Sequence, residues 1–266
     1  MEPFICVELL GGLGNQLFQY AAAKSVQKHT GLKLILNKES NNAHNINGHN
    51  YAKELFTDAE EVDFPVHAIW VFETHGVKIY NQQNGFEEWN PQNIQVPCML
   101  KGYFQYYPAI KSVIPQIRTV LLHNLGVIKM NPDDAFLHVR RGDYVAKSDF
   151  HYLQGESYYT EAYAQLCRKR GKNGPPQKLL VFSDDINWCK SQQWLLTLPG
   201  VEFIEEKDEL KSLSQMISCL GGAIIANSTF SWWAAVLSDT PYVIYPKKWI
   251  AQKVENLFPP HWISIT

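Results

Sequence analysis

Hydrophobic and polar positions follow two periods along this chain, and the change between them outlines its elements. Phe4 to Leu10 is apolar apart from Glu8, which predicts a buried strand. The run breaks at Gly11-Gly12-Leu13-Gly14. Beyond Asn15 and Gln16, the residues Leu17, Phe18, Ala21, Ala22 and Val26 recur at helical spacing, and Gly31 suits a helix terminus. LKLILN then reads as a second strand, which completes a β–loop–α–β unit. From Lys38 to about Val127 the periodicity weakens. NNAHNINGHN is polar and loop-like, and the aromatics Trp70, Trp89, Tyr103, Phe104, Tyr106 and Tyr107 fall into no element the pattern defines. Ile110 to Leu125 reads as a helix that closes the first half.

The second half alternates more cleanly. FLHV is a strand, and Ser157 to Arg170 a helix with a serine N-cap and Gly171 after its end. KLLVFS is a strand, Ile186 to Leu196 a helix, and VEFIEE a strand. Leu210, Leu213, Met216, Ile217 and Leu220 make an amphipathic helix. GAIIAN is a strand, Phe230 to Leu237 a short helix, and PYVIYP a strand. Such alternation predicts a parallel sheet covered on both faces.

Composition narrows the class. At 266 residues the chain has room for one large domain or two ordinary ones, and 45% hydrophobic with 19% charged residues is typical of a globular protein with a sizeable core. A net charge of -2 gives no bulk electrostatic reason to expect a nucleic-acid or membrane partner. Cys6, Cys98, Cys167, Cys189 and Cys219 are scattered without a CxxC pair, which argues for reduced, mostly buried thiols and against a zinc site. No apolar run is long enough to span a bilayer, and MEPFICVELLGG reads as a first strand rather than a signal peptide. The expected location is the cytoplasm.

The richest chemistry lies in FLHVRRGDY, Phe136 to Tyr144. Arg140 and Arg141 follow a buried strand, at the edge where α/β sheets bind ligands, and paired guanidiniums there call for an anion such as a diphosphate. Arg140 and Asp143 could otherwise form a surface ion pair of little consequence. His138 shares a strand face with Arg140. A second candidate is Gly11-Gly12-Leu13-Gly14-Asn15-Gln16, where glycines admit a ligand to the backbone and a helix offers its free N–H groups, although the same sequence could be only a tight turn. A third is Asn227-Ser228-Thr229-Phe230-Ser231-Trp232-Trp233. Ser228 or Thr229 could be a plain N-cap, or the hydroxyls and the helix end could cradle a second anion; the tryptophans are read as packing. Ser183-Asp184-Asp185 after KLLVF could meet a guanine edge or cap the next helix. No motif demands a divalent metal.

Taken in order, GGLGNQLFQYAAA, HVRRGDY and NSTFSWWAA, with VFSDD and YPKKW, resemble the α-1,2-fucosyltransferases of glycosyltransferase family 11. The resemblance runs over nearly the whole chain and is weakest in the middle. It implies an α/β, GT-B-like fold of two Rossmann-type lobes with parallel sheets and a cleft between them. Residues 1–127 would form the N-terminal, acceptor-side lobe and 128–266 the GDP-sugar lobe. It implies inverting transfer of L-fucose from GDP-β-L-fucose to the 2-hydroxyl of a galactose-containing oligosaccharide, in glycan or O-antigen synthesis, with no cofactor and no metal. The lack of an anchor, unlike animal relatives, points to a microbial enzyme acting on cytoplasmic precursors, without nucleic acid and without stable membrane insertion. Carried onto this chain, the catalytic candidates are Arg140, Asp143 and Asn15. The donor-binding candidates are Gly14, Gln16, His138, Arg141, Asp184, Ser228, Thr229 and Ser231. For the base that takes the acceptor proton, Asp143 leads, though orienting an arginine suits it as well, and Glu8 and Glu156 are weaker choices. The competing expectations are another GDP-sugar-dependent transferase and a non-catalytic nucleotide- or glycan-binding protein.

Overall fold

The computed structural model describes residues 2–38, 48–62, 76–146 and 149–266. The chain divides into two compact units, residues 1–124 with 255–258, and residues 125–254 with 259–266. The segment 255–258 therefore returns to the first unit, which a contiguous division at 127/128 does not anticipate. The backbone of Asn256 accepts from Tyr107 N–H at 2.9 Å, and Leu257 is fully buried.

The first unit is built on β1 (Phe4–Leu9), β2 (Lys33–Lys38), β3 (Glu60–Val62), β4 (Lys78–Asn81) and β5 (Cys98–Lys101). They form a five-stranded sheet in the order β3-β2-β1-β5-β4, parallel throughout. Every residue of β1 is buried, as expected for a central parallel strand covered on both faces. Helix α1 (Leu13–Thr30) follows and stops at Gly31, whose left-handed backbone turns its N–H onto Gln27 O. After it come α2 (Tyr51–Glu54), α3 (Tyr107–Ile110) and α4 (Ile114–Asn124). The continuous helix expected over Ile110–Leu125 is thus two helices. Pro115 has no N–H to give the carbonyl four residues back and its ring crowds that position, so the helix restarts there. The polar stretch NNAHNINGHN lies largely, and Trp70 entirely, outside the described residues.

The second unit holds β6 (Asp134–Val139), β7 (Lys178–Ser183), β8 (Val201–Phe203), β9 (Gly222–Ile224), β10 (Val243–Pro246) and β11 (Ile263–Ile265). Their order is β11-β10-β9-β6-β7-β8, again parallel. The chain runs outward from β6 to β8, crosses back, and runs outward from β9 to β11. The crevice at the carboxyl ends of β6 and β9 is the topological switch point of the sheet.

Its helices are α5 (Gly142–Ala146), α6 (Glu156–Arg170), α7 (Ile186–Ser191), α8 (Gln193–Leu196), α9 (Glu209–Ser218) and α10 (Thr229–Ser238). Helix α6 begins one residue before the expected serine. Gly155 occupies the N-cap with no side-chain bond, so Ser157 lies inside the first turn. The helix expected over Ile186–Leu196 breaks at Gln192, which is extended. There the side chains of Ser191 and Gln192 both donate to Trp188 O, competing with the helical ladder. Tyr158, Tyr159, Ala162 and Leu166 of α6 pack on Ala135, Leu137 and Val139 of β6 and on Leu179 and Val181 of β7. All five cysteines are free, and all but Cys167 are buried. Among the described residues no helix is long and apolar enough to cross a membrane.

Candidate functional site

The switch point of the second unit collects the loops that follow β6, β7 and β9. Strand β6 ends at Val139, so Arg140 and Arg141 lie just beyond it rather than on a continuing strand. Arg140 Nη2 donates to Asp143 Oδ1 at 2.6 Å, and Nη1 lies 3.1 Å from Asp184 Oδ2. Two carboxylates from different loops thus brace one guanidinium that is about a third exposed. Arg141 is held differently. Its Nε donates to Asp185 Oδ2 at 3.2 Å, and its guanidinium carbon stands 3.8 Å from the Trp188 ring centre.

Asp184 also accepts from the backbone N–H of Arg141 at 2.9 Å. Both of its oxygens therefore serve the arginine turn. Of the two readings open for Ser183-Asp184-Asp185, the helix cap belongs to Asp185, whose Oδ1 accepts from Trp188 N–H at 3.2 Å. The glycine of the RRGD turn is required by packing, since a Cβ on Gly142 would fall 2.3 Å from Asp184 Oδ2.

Tyr144 joins this turn to the loop after β9. Its hydroxyl donates to Asn227 O at 2.9 Å, while the His151 ring stacks on it at 3.9 Å and Arg140 lies 5.3 Å from its ring centre. Burial, with Asp143 and Asp184 adding to it against Arg140, raises the phenol to about 12, so the hydroxyl keeps its proton. Asn227 in turn donates to Tyr152 O at 3.0 Å and Trp249 O at 2.8 Å. Sequence reasoning passed over Tyr144 and Asn227, although both lie inside the motifs it singled out.

His138 ends up inside the unit, 4% exposed, with Phe230 at 5.9 Å between ring centres. Its Nδ1 has no hydrogen-bond partner among the described residues. Burial, and then the charge of Arg140, push its pKa down to about 3, so the ring is neutral at ordinary pH. Ser228 is the N-cap residue of α10, but its side chain makes no capping bond. The N–H groups of the first turn point toward the loop. Ser231 is fully buried, and its hydroxyl donates back to Ser228 O at 3.2 Å. Thr229 is half-buried beside it. Trp232 and Trp233 are fully buried and pack edge to face at 5.1 Å.

In the first unit, Gly14 is buried inside α1, and the amides after it tie the turn down. Gln16 Nε2 donates to Gly11 O at 2.8 Å, Gln19 Oε1 accepts from Leu10 N–H at 2.9 Å, and Asn15 Oδ1 accepts from Gln105 Nε2 at 3.1 Å. Gln105 follows β5, the neighbour of β1, so this network marks the switch point of the first sheet. Glu8 is paired with Lys101 at 3.2 Å, and Glu156 is exposed in the first turn of α6. Among the described residues no group of three or more His, Cys, Asp or Glu side chains could hold a metal ion.

Two all-parallel α/β units, with a braced arginine pair and the amino end of α10 at the switch point of the second, define a GT-B-type architecture. The crystal structure of fucosyltransferase NodZ from Bradyrhizobium shares this fold at a TM-score of 0.50, with 13% sequence identity, 91% of this chain and 94% of that one covered. Residues 93–266 match the model of Glycosyl transferase family 11; the chain belongs to that family and is a glycosyltransferase. It is 29% identical over 294 residues to an alpha-1,2-colitosyltransferase of Escherichia coli, with 98% of each chain covered. It is 28% identical over 305 residues to the O-antigen biosynthesis glycosyltransferase WbnK of the same species, with 97% of this chain and 99% of that one covered.

Proposed function

We propose that this protein is an inverting α-1,2-fucosyltransferase. It moves L-fucose from GDP-β-L-fucose to the 2-hydroxyl of a galactose-containing oligosaccharide, in cytoplasmic assembly of a glycan or O-antigen. The observation that carries the reading is Arg140, aimed by Asp143 and Asp184 on a turn that Tyr144 ties to the loop leading into α10. Together they offer a departing diphosphate the guanidinium N–H groups and the N–H donors of the helix end. In the transfer, the acceptor oxygen bonds to the anomeric carbon as the carbon–phosphate-oxygen bond breaks, and GDP leaves with the electron pair. The hydroxyl proton passes to a base on the face opposite the diphosphate. A carboxylate bonded to the arginine that grips the leaving group lies on the wrong side for that task. Asp143 is therefore its brace.

Arg141 supports the turn through Asp185 and Trp188, His138 closes the nucleoside side, and Ser228 and Thr229 present the helix end to the diphosphate. Gly14, Asn15 and Gln16 form the corresponding turn on the acceptor-side lobe. In this reading hydrogen bonds from Arg140 and the α10 N–H groups stabilise the leaving diphosphate without a metal ion. Arg140→Ala is expected to lower turnover by at least about a hundredfold, the scale for losing one donor to transition-state charge. Near-normal transfer by that variant would refute the assignment. The 29% identity to a colitosyltransferase favours a second reading, transfer of colitose. Offering the fucose and colitose donors side by side with lactose, with and without chelator, separates the two. Release from UDP-sugars alone would exclude both, and chelator sensitivity would overturn the metal-free mechanism.

A further inference from the structure

The turn after β5 is unusual, and the donor chemistry does not use it. Gly102 has φ 132°, and a Cβ there would lie 2.7 Å from the Gln82 Cβ. Phe104 is buried with φ 51°, in the left-handed region that a side chain adopts only under constraint. The constraints are explicit. Phe104 N–H donates to Gln82 Oε1 at 2.6 Å, Gln105 N–H donates to Gly85 O at 2.6 Å, and Gly102 O accepts from Gln19 Nε2 at 3.1 Å. Trp89 packs edge-on against Phe104 at 5.3 Å, and its buried indole N–H has no acceptor among the described residues. Backbone strain of this kind clusters at ligand clamps and active sites, and a buried orphaned donor calls for an explanation.

The outcome of these constraints is the placement of one ring. Tyr103, between the two strained residues, is 41% exposed, and its Cβ would lie 3.1 Å from a Cβ at Gly85. It stands at the carboxyl edge of the first sheet where β1 and β5 meet, the switch point of that sheet. Gln105 of the same turn holds the amide of Asn15 at 3.1 Å. Of the charged groups near this edge, Glu8 and Lys101 neutralise each other at 3.2 Å, and Glu88 is engaged by the Tyr106 hydroxyl. A flat amphipathic ring beside amides and a self-neutralised ion pair suits an uncharged polyhydroxylated ligand with one apolar face.

We infer that the Gly102–Gln105 turn is the acceptor subsite, with the Tyr103 ring as the platform on which an uncharged pyranoside stacks. The inference rests on the glycosyltransferase reading above and names the part of the first unit that receives the acceptor. The test uses the full chain and lactose. Tyr103→Ala should raise the KM for lactose by at least about tenfold, the scale of losing one stacked ring, while the KM for the nucleotide-sugar donor stays put. Tyr103→Phe, which keeps the ring, should restore most of the affinity. Saturation-transfer NMR with lactose and no donor should show contact in the wild-type protein that Tyr103→Ala loses, with melting unchanged. An unaltered lactose KM in Tyr103→Ala, or equal loss in Tyr103→Ala and Tyr103→Phe, would overturn the subsite. Because the NMR experiment contains no nucleotide sugar, a wrong donor assignment leaves it readable.

Discussion

At the scale of single residues, the site depends on how charge and protons are held. Gly142 is the tightest point, because its missing side chain leaves room for the Asp184 carboxylate that braces Arg140. Gly142→Ala should therefore cut turnover severely while the protein still folds, the added methyl displacing a carboxylate at a half-exposed turn. Wild-type turnover in that variant would remove Asp184 from the mechanism. His138 makes a pH prediction whose sign follows from burial. Its folded pKa of about 3 lies below the ordinary value of 6.5, so the unfolded chain takes up a proton that the folded one refuses. The stability from the neutral ring is complete above pH 6.5 and is lost as pH falls toward 3. Between pH 6.5 and pH 5 the loss should be about 2 kcal/mol. Urea unfolding of wild type and His138→Asn at both pH values checks it: the wild type should lose that much more than the variant. HVRRGDY announces these residues in the sequence, yet nothing in it shows that Arg140 reaches two aspartates, one of them 44 positions away. That pairing needs β6 and β7 side by side.

At the scale of elements, legibility follows burial. β1, β6 and β7 read correctly as strands because central parallel strands bury both faces and leave a near-continuous apolar run. β3 and β4 are missed for the converse reason. They lie at the edges of the first sheet, short and half-exposed, so their residues alternate too weakly to stand out from loops. β5 is buried over its first three residues but only four residues long, CMLK, too short a run to be told from a turn. The helix errors have local causes, Pro115 restarting one helix and the Ser191–Gln192 side chains breaking another. The serine expected to cap α6 and the serine that caps α10 without a bond show that hydroxyl residues near a helix start mark its place more reliably than its hydrogen bonding.

At the scale of the whole molecule, the chain divides into two units with different candidate chemistry. The second unit carries the braced arginines and the amino end of α10, and GDP is expected to act on that unit. At a hundred times its dissociation constant, GDP should stabilise it by about 2.7 kcal/mol against unfolding, measured by calorimetry, with Arg140→Ala strongly reducing the shift. No effect of GDP on the melt would place the nucleotide elsewhere. The sequence by itself determined the alternation of strands and helices, the three motifs and, through their order, the family, because these depend on local periodicity and on residue types at short spacing. Only the tertiary structure decided that β6 and β9 are neighbours, that Asp184 joins Asp143 on Arg140, that Ser231 is fully buried, and that Tyr103 stands partly exposed at the edge of the first sheet. Those outcomes depend on strand order, and strand order is set by contacts between residues far apart in the chain, which no local pattern encodes.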